Sequence, residues 1–333
     1  MSTNPLSFMK GVIGRTFYVI PQRPERIQIE VTNRCNYRCG MCPREFFRLP
    51  EKDIAFHLFT QIVDRLTLPK FSRYTITLTG WGEPLLHPEL INMILYTKHK
   101  GYAVGVTTNG SLLASYVESF RKIPLDKLTI SLDNIEECNS AGEGHPPDNI
   151  VQENIETLIR SRDMKKMPHI TIQITMHNKQ QCLKTVKFAG EIGADRVYLV
   201  RLNNPLGRGG FKRPDLKEEL EIYQAAEVIA KNYGLQVDSN YGAFGNGFIR
   251  LVYKQVRPVM YRFDRYCSKP YDYVYITIDG KVTPCCDLPR NEVGNILKQN
   301  LSEIWHGENI HYFRKHQGEI CGKCDTLRLK HFN

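Results

Sequence analysis

No stretch of this 333-residue sequence approaches the roughly 18 consecutive apolar residues that would cross a bilayer. This argues against a membrane-spanning chain. The opening residues, "MSTNPLSFMKGVIGRTFYVIPQRPER", lack the apolar core of a secretory signal, so the cytoplasm is the expected compartment. Low-complexity tracts are missing too, and the only internal repeat is the β/α unit described below. The net charge is +10, but Lys and Arg are scattered and form no concentrated basic arm. Scattered charge reads as solubility, or as preference for an anionic or acidic substrate, and argues against nucleic acid as a partner.

What the chain does have is sulfur. Ten cysteines in a chain without an export signal argue against a disulfide framework, because reducing compartments keep thiols free. Metal binding is the alternative. Three of them, Cys35, Cys39 and Cys42, fall in "CNYRCGMC" with spacing C-x3-C-x2-C. Soft thiolates select zinc or iron–sulfur centres. A structural zinc site wants four closed ligands, and no histidine lies within ten residues to supply one. Two readings remain: a zinc loop with a distant fourth ligand, or an open site whose fourth position belongs to a cofactor or substrate.

From 27 to 201, short runs rich in Val, Ile, Thr and Tyr alternate with amphipathic ones. Strand-like runs are "IQIEV", "YTITLTG", "YAVGVTT", "LTISLD", "HITIQITM" and "RVYLV". Helical patterns between them are "FHLFTQIVDRL", "PELINMILYTKHK", "LLASYVESFRK", "NIVQENIETLIRSR" and "KQQCLKTVKFAGEIG". Such alternation predicts an α/β fold with a parallel sheet, specifically a partial (β/α)6 TIM-like barrel followed by a small C-terminal α+β module. Reactive groups in barrels sit at the C-terminal ends of strands, and the three cysteines follow the first strand. A helix over 216–233 and a further strand near 235–238 come next. The expected divisions are an extension at 1–26, the barrel at 27–235 and a cysteine-rich domain at 236–333.

The "CNYRCGMC" loop resembles the signature of the radical S-adenosylmethionine superfamily. "TGWGEPLLHP", "TTNG" and "SLD" follow the second, third and fourth strands in that family's order. The resemblance implies a 4Fe–4S cluster held by Cys35, Cys39 and Cys42, with S-adenosylmethionine on its open iron. It implies a 5′-deoxyadenosyl radical as the hydrogen-abstracting species and a reductant partner such as flavodoxin or ferredoxin. It also places Gly80, Gly82 and Glu83 near the cofactor's amino group, and Thr108, Asn109 and Ser131 near its ribose or carboxylate. Glycines suit that place because a backbone without Cβ permits close approach. Two departures stand out: Trp81 replaces a usual glycine, and Met41 stands where an aromatic is common before the third cysteine.

A second set of thiols closes the chain: Cys267, Cys285, Cys321 and Cys324. "YVYITIDGKVTPC" reads as a hairpin turning at Asp279 and Gly280, which would draw Cys267 and Cys285 together for a terminal CxxC to complete. By itself this pattern fits zinc or iron–sulfur equally. The region is similar to SPASM or twitch extensions of the same superfamily, with cysteine spacing like that of 2-deoxy-scyllo-inosamine dehydrogenases. That implies a second, auxiliary 4Fe–4S cluster. Cys286 is expected to point away from Cys285, as neighbours on a strand do. Cys138 and Cys182 read as isolated thiols, His145 and His177 as structural or surface residues rather than catalytic bases, and Arg208 in "PLGRGG" as either a solvated turn residue or an anion contact.

The resulting expectation is a radical S-adenosylmethionine oxidoreductase acting on a small alcohol or sugar-type molecule. The alternatives are a maturase acting on a ribosomal peptide or protein and, in a different class, a non-catalytic zinc-binding scaffold or nucleic-acid-binding protein.

Overall fold

The computed structural model describes residues 22–68, 74–133, 148–162, 168–202, 214–239, 267, 269–321 and 324. Arg208, His145, Cys138 and residues 1–21 of the N-terminal extension lie outside that set. All six expected strands are present: β1 Arg26–Ile29, β2 Thr75–Leu78, β3 Ala103–Thr108, β4 Lys127–Ser131, β5 His169–Met176 and β6 Arg196–Arg201. They pair in chain order and all in parallel. Helices Phe56–Arg65, Leu90–His99, Val117–Lys122, Asp148–Arg160 and Lys179–Glu191 make the crossovers. The third expected helical pattern, "LLASYVESFRK", is divided: a 3-10 turn at Leu113–Tyr116 precedes the α-helix. The Tyr116 hydroxyl at that junction donates to the Leu85 carbonyl at 2.9 Å.

The sheet does not stop at six strands. β7, Gln236–Ser239, adds in parallel beside β6, after the helix Leu216–Lys231. β8, Tyr273–Ile276, adds in parallel on the other side, beside β1, with Arg26 opposite Tyr273 and Ile29 opposite Ile276. β9, Lys281–Thr283, and β10, Gly294–Asn295, then continue antiparallel. The sheet therefore runs β10-β9-β8-β1-β2-β3-β4-β5-β6-β7. Among the described residues no ladder joins β7 to β10, so the barrel is open. The cysteine-rich C-terminal segment is thus built onto the edge next to the first cysteine loop.

Alternation along the strands separates two faces. On β5, Ile170, Ile172, Ile174 and Met176 are fully buried, and the helix Lys179–Glu191 packs against this strand. Each such side chain contributes about 1.5–3 kcal/mol by leaving water. The other face of β4, β5 and β6 carries Lys127, Thr129, Ser131, His169, Thr171, Gln173, Thr175, Arg196 and Tyr198, all only half-buried. Stability is supplied by the helix-covered face, which leaves the concave face free to be polar. Across that concavity the Lys127 ammonium donates to Thr75 Oγ1 at 3.0 Å, and the Tyr273 hydroxyl donates to Gln28 Oε1 at 2.8 Å. Among the described residues no helix is long and apolar enough to cross a membrane.

Candidate cofactor site and auxiliary cysteine cluster

β1 ends at Ile29, and the chain then runs buried through Glu30, Val31, Thr32 and Asn33. Residues 50–54 clamp this segment from one side. Ile54 N–H donates to the Val31 carbonyl at 2.9 Å, the Thr32 hydroxyl to Asp53 at 2.6 Å, and the Asn33 amide to the Pro50 carbonyl at 2.7 Å. Arg34 forks onto both oxygens of Asp53, at 2.9 and 2.6 Å, the two-point geometry that guanidinium and carboxylate share. The cysteine loop thus leaves a fixed stem. Within it, Cys42 N–H donates to the Cys39 carbonyl at 2.9 Å, a turn that draws these two residues together.

The three thiols are half-buried on one short loop. Burial together with Cys42 and Cys35 pushes the Cys39 thiol up to about 12, and burial pushes Cys35 up as well. Coordination to a soft metal centre would reverse that shift, since coordinated thiols are deprotonated outright. Three soft sulfurs on one loop are a donor set that fits an iron–sulfur centre with three protein ligands.

The "GWGEP" segment docks on the same stem. Glu83 N–H donates to the Arg34 carbonyl at 2.8 Å. A Cβ on Gly82 would strike the backbone oxygens of Thr32 and Arg34, and one on Gly80 would strike the Glu30 side chain. Glycine is required at both positions because of close approach. Trp81 is held at two ends: its backbone N–H meets Glu30 Oε1 at 3.3 Å, and its indole N–H donates to the Cys286 carbonyl at 3.2 Å. Its ring also meets Phe47 edge-on, with centroids 4.9 Å apart. Trp81, one of the two departures from the family pattern, ties this loop to the C-terminal module.

Glu83 is buried, and its carboxylate organises the next loop. Oε1 accepts from the Thr108 hydroxyl at 2.7 Å and from Leu85 N–H at 3.0 Å; Oε2 accepts from Asn109 N–H at 2.7 Å. Burial pushes this carboxyl up, and the three hydrogen bonds oppose the shift. The Asn109 amide then donates to Asn36 Oδ1 at 2.9 Å, and the Asn36 amide to Ser111 Oγ at 2.9 Å. Asn36 lies inside the cysteine loop, so Glu83, Thr108 and Asn109 form one network with it. Gly110, at φ +81°, makes the left-handed turn after this strand. Ser131 stands apart on the concave face, accepting from Gln173 at 3.1 Å. Asp133, two residues on, accepts from Thr175 N–H at 2.6 Å, and its charge raises Cys39. Asn36, Trp81 and Asp133 were not singled out as site residues from the sequence. Each lies within a recognised motif, but its side-chain partner comes from a distant segment.

At the C-terminal end, the hairpin turns as expected at Gly280, with φ +75°. Cys267, Cys321 and Cys324 share one neighbourhood: burial, Cys324 and Cys267 push Cys321 up to about 12, and Cys324 N–H donates to the Cys321 carbonyl at 2.7 Å. Cys285 lies with Cys286 and Asp287, and the ligand atoms of these three all lie within 4.8 Å of one another. This corrects the expectation that Cys286 faces away. β9 ends at Thr283, Pro284 has no N–H to continue the ladder, and the two cysteines lie past the strand, where alternation no longer applies. A hydrogen bond from Cys285 lowers the Cys286 thiol to about 7. Cys182 is buried in the core, with Sγ 3.6 Å from the Thr175 carbonyl, and His177 engages the same carbonyl at 2.8 Å.

Known proteins agree with this arrangement. Residues 29–189 match the Radical SAM superfamily, and residues 267–325 match SPASM, an iron–sulfur cluster-binding domain. The tungsten-containing aldehyde ferredoxin oxidoreductase cofactor-modifying protein of Pyrococcus furiosus is 25% identical over 312 residues, covering 86% of this chain and 82% of its own. Among solved structures, Streptococcus suis SuiB superposes with TM-score 0.70 when bound to S-adenosylmethionine, at 17% identity over 95% of this chain and 74% of its own. SuiB has also been solved with its precursor peptide SuiA. BtrN, in complex with AdoMet and 2-DOIA, superposes with TM-score 0.52, at 17% identity over 90% of this chain and 92% of its own. Radical SAM domains use a 4Fe–4S cluster with S-adenosylmethionine, and SPASM domains bind further iron–sulfur clusters.

Proposed function

We infer that this chain, which belongs to the radical SAM superfamily and carries a SPASM domain, oxidises a hydroxyl-bearing small molecule held in its open barrel. The observation that carries this reading is the concave face of β4, β5 and β6. Its hydroxyls, one amide, one phenol and the basic side chains of Lys127, His169 and Arg196 are half-buried, while the residues of the same strands that face the helices are closed and mostly apolar. Ser131 and Gln173 already pair at 3.1 Å, and with Thr129, Thr171 and Tyr198 beside them the lining is one that a hydroxyl-bearing ligand could hydrogen-bond and an apolar one could not.

When bound, the cluster and S-adenosylmethionine supply a 5′-deoxyadenosyl radical that takes a hydrogen atom. Cys35, Cys39 and Cys42 hold that cluster from a stem fixed by Asp53, Arg34 and Asn33. Gly80 and Gly82 open the backbone for the cofactor's amino end. Glu83 sets the loop bearing Thr108 and Asn109, and Ser131 marks the lumen side of the cofactor. An alcohol carbon that has lost its hydrogen atom must also lose one proton and one electron to become a carbonyl. Cys267, Cys285, Cys321 and Cys324 would hold an auxiliary cluster able to take up that electron. A reductant of the flavodoxin or ferredoxin kind would supply the electron needed at the site of Cys35, Cys39 and Cys42.

A peptide substrate is the second reading. Its support is the fold shared with SuiB, whose solved complex holds a precursor peptide. Isotope transfer separates the two. Candidate alcohols deuterated at the carbinol carbon are incubated with reduced enzyme, and 5′-deoxyadenosine is analysed by mass. Deuterium in the product supports the alcohol reading. Its absence across hydroxylated small molecules, with transfer from a labelled peptide residue, transfers the assignment to the peptide.

A further inference from the structure

Lys269 lies two residues after Cys267, in the single turn Lys269–Asp272 that leads into β8. Its ammonium stands 3.5 Å from Cys285 Sγ, 3.6 Å from Cys286 Sγ and 2.9 Å from Asp287 Oδ2. One cation therefore lies against two neighbouring thiols and a carboxylate at once, just past Cys267 in the chain. The ordinary role for such a lysine is an ion pair that closes the turn through Asp287. That role needs one contact of the three and does not require the amine to lie between thiols.

We propose that Lys269 sets the reduction potential of the auxiliary iron–sulfur centre by presenting its ammonium to the sulfur ligands. Reduction adds one electron to the centre, with no bond made or broken. A fixed positive charge and a hydrogen-bond donor beside the sulfurs favour the more negative, reduced state. The centre thereby becomes a better acceptor for the electron left on the substrate. This inference rests on the assignment of Cys267, Cys285, Cys321 and Cys324 to that centre.

The test is a redox titration followed by electron paramagnetic resonance. The full chain is reconstituted in a background carrying Cys35→Ala, Cys39→Ala and Cys42→Ala, so that only the auxiliary signal is read. Lys269→Met, close in length but uncharged, should lower the reduced-to-oxidised ratio about tenfold at a fixed potential, which is ~59 mV for one electron. Lys269→Arg, which keeps the charge, should stay near the parent. An unchanged ratio in Lys269→Met with full iron content overturns the proposal. If Lys269→Met loses its iron, Lys269→Gln decides: a lowered ratio supports the role and a parental ratio overturns it. A parent with no iron in this module overturns the ligand assignment itself, and the iron count distinguishes that failure from the others.

Discussion

Replacing Glu83 by glutamine preserves shape and exchanges one oxygen for an NH2 group. Glu83 is 2% exposed, so no water stands by to repair a mismatch. The amide has two orientations. With NH2 at the Oε2 position it faces Asn109 N–H, whose present bond is 2.7 Å. With NH2 at the Oε1 position it faces Leu85 N–H, now at 3.0 Å. A donor meets a donor either way, and a buried unsatisfied donor costs about 1–3 kcal/mol. One effect opposes this: burial raises the Glu83 carboxyl pKa, and a neutral amide escapes that penalty. The sign of the linkage follows. A carboxyl raised on folding contributes stability that is full below its unfolded value and lost as pH rises through the folded one. The wild type therefore gains on the non-titrating variant as pH falls. Expected at neutral pH is a net loss of about 1–2 kcal/mol in E83Q, the mismatch exceeding the relief. The gap should widen on acidification toward pH 5.5. Thermal unfolding across that range reads the stability, and hydrogen exchange at Asn109 and Gly110 reads the loop. Equal midpoints at neutral pH, or a gap that narrows on acidification, would refute the reasoning.

Three further substitutions test the joints between segments. Gly82→Ala places a methyl group on the backbone oxygens of Thr32 and Arg34; iron loading of the N-terminal site should collapse while the C-terminal module keeps its iron, and normal loading would contradict the docking described. Trp81→Phe keeps the packing on Phe47 but removes the indole donor to Cys286; a loss of about 0.5–1.5 kcal/mol is expected in chemical denaturation, and none would show that the bond is idle. Arg201→Met removes the guanidinium 2.7 Å from Glu219, a pair buried at 4% and 0% exposure; breaking such a pair costs about 3–5 kcal/mol, so a midpoint equal to wild type would contradict its role.

Much of this fold is legible in sequence because the signals are local. β5 shows why: in "HITIQITM" every second residue is apolar and every one of these is buried. The motif order after β1 to β4 is equally local. What sequence does not disclose is adjacency between distant segments. β8 pairs with β1, Arg26 opposite Tyr273, across most of the length of the chain, a choice made by packing and register, with no local marker. The contact of Trp81 with Cys286 has the same origin. Cys286 shows how a sound rule fails at its boundary: alternation holds within a strand, and Pro284 ends the strand two residues too soon. Glu83 was legible as a motif residue, but its three donors depend on how β2 and β3 are placed side by side.

The central claim is that Cys35, Cys39 and Cys42 hold an open iron–sulfur site and that the C-terminal thiols hold a separate closed one. Metal and sulfide analysis after anaerobic reconstitution tests both at once. About eight irons per chain are expected in the wild type and about four when the first three cysteines become alanine, as two cubane clusters require. Bound zinc with iron near zero would contradict it.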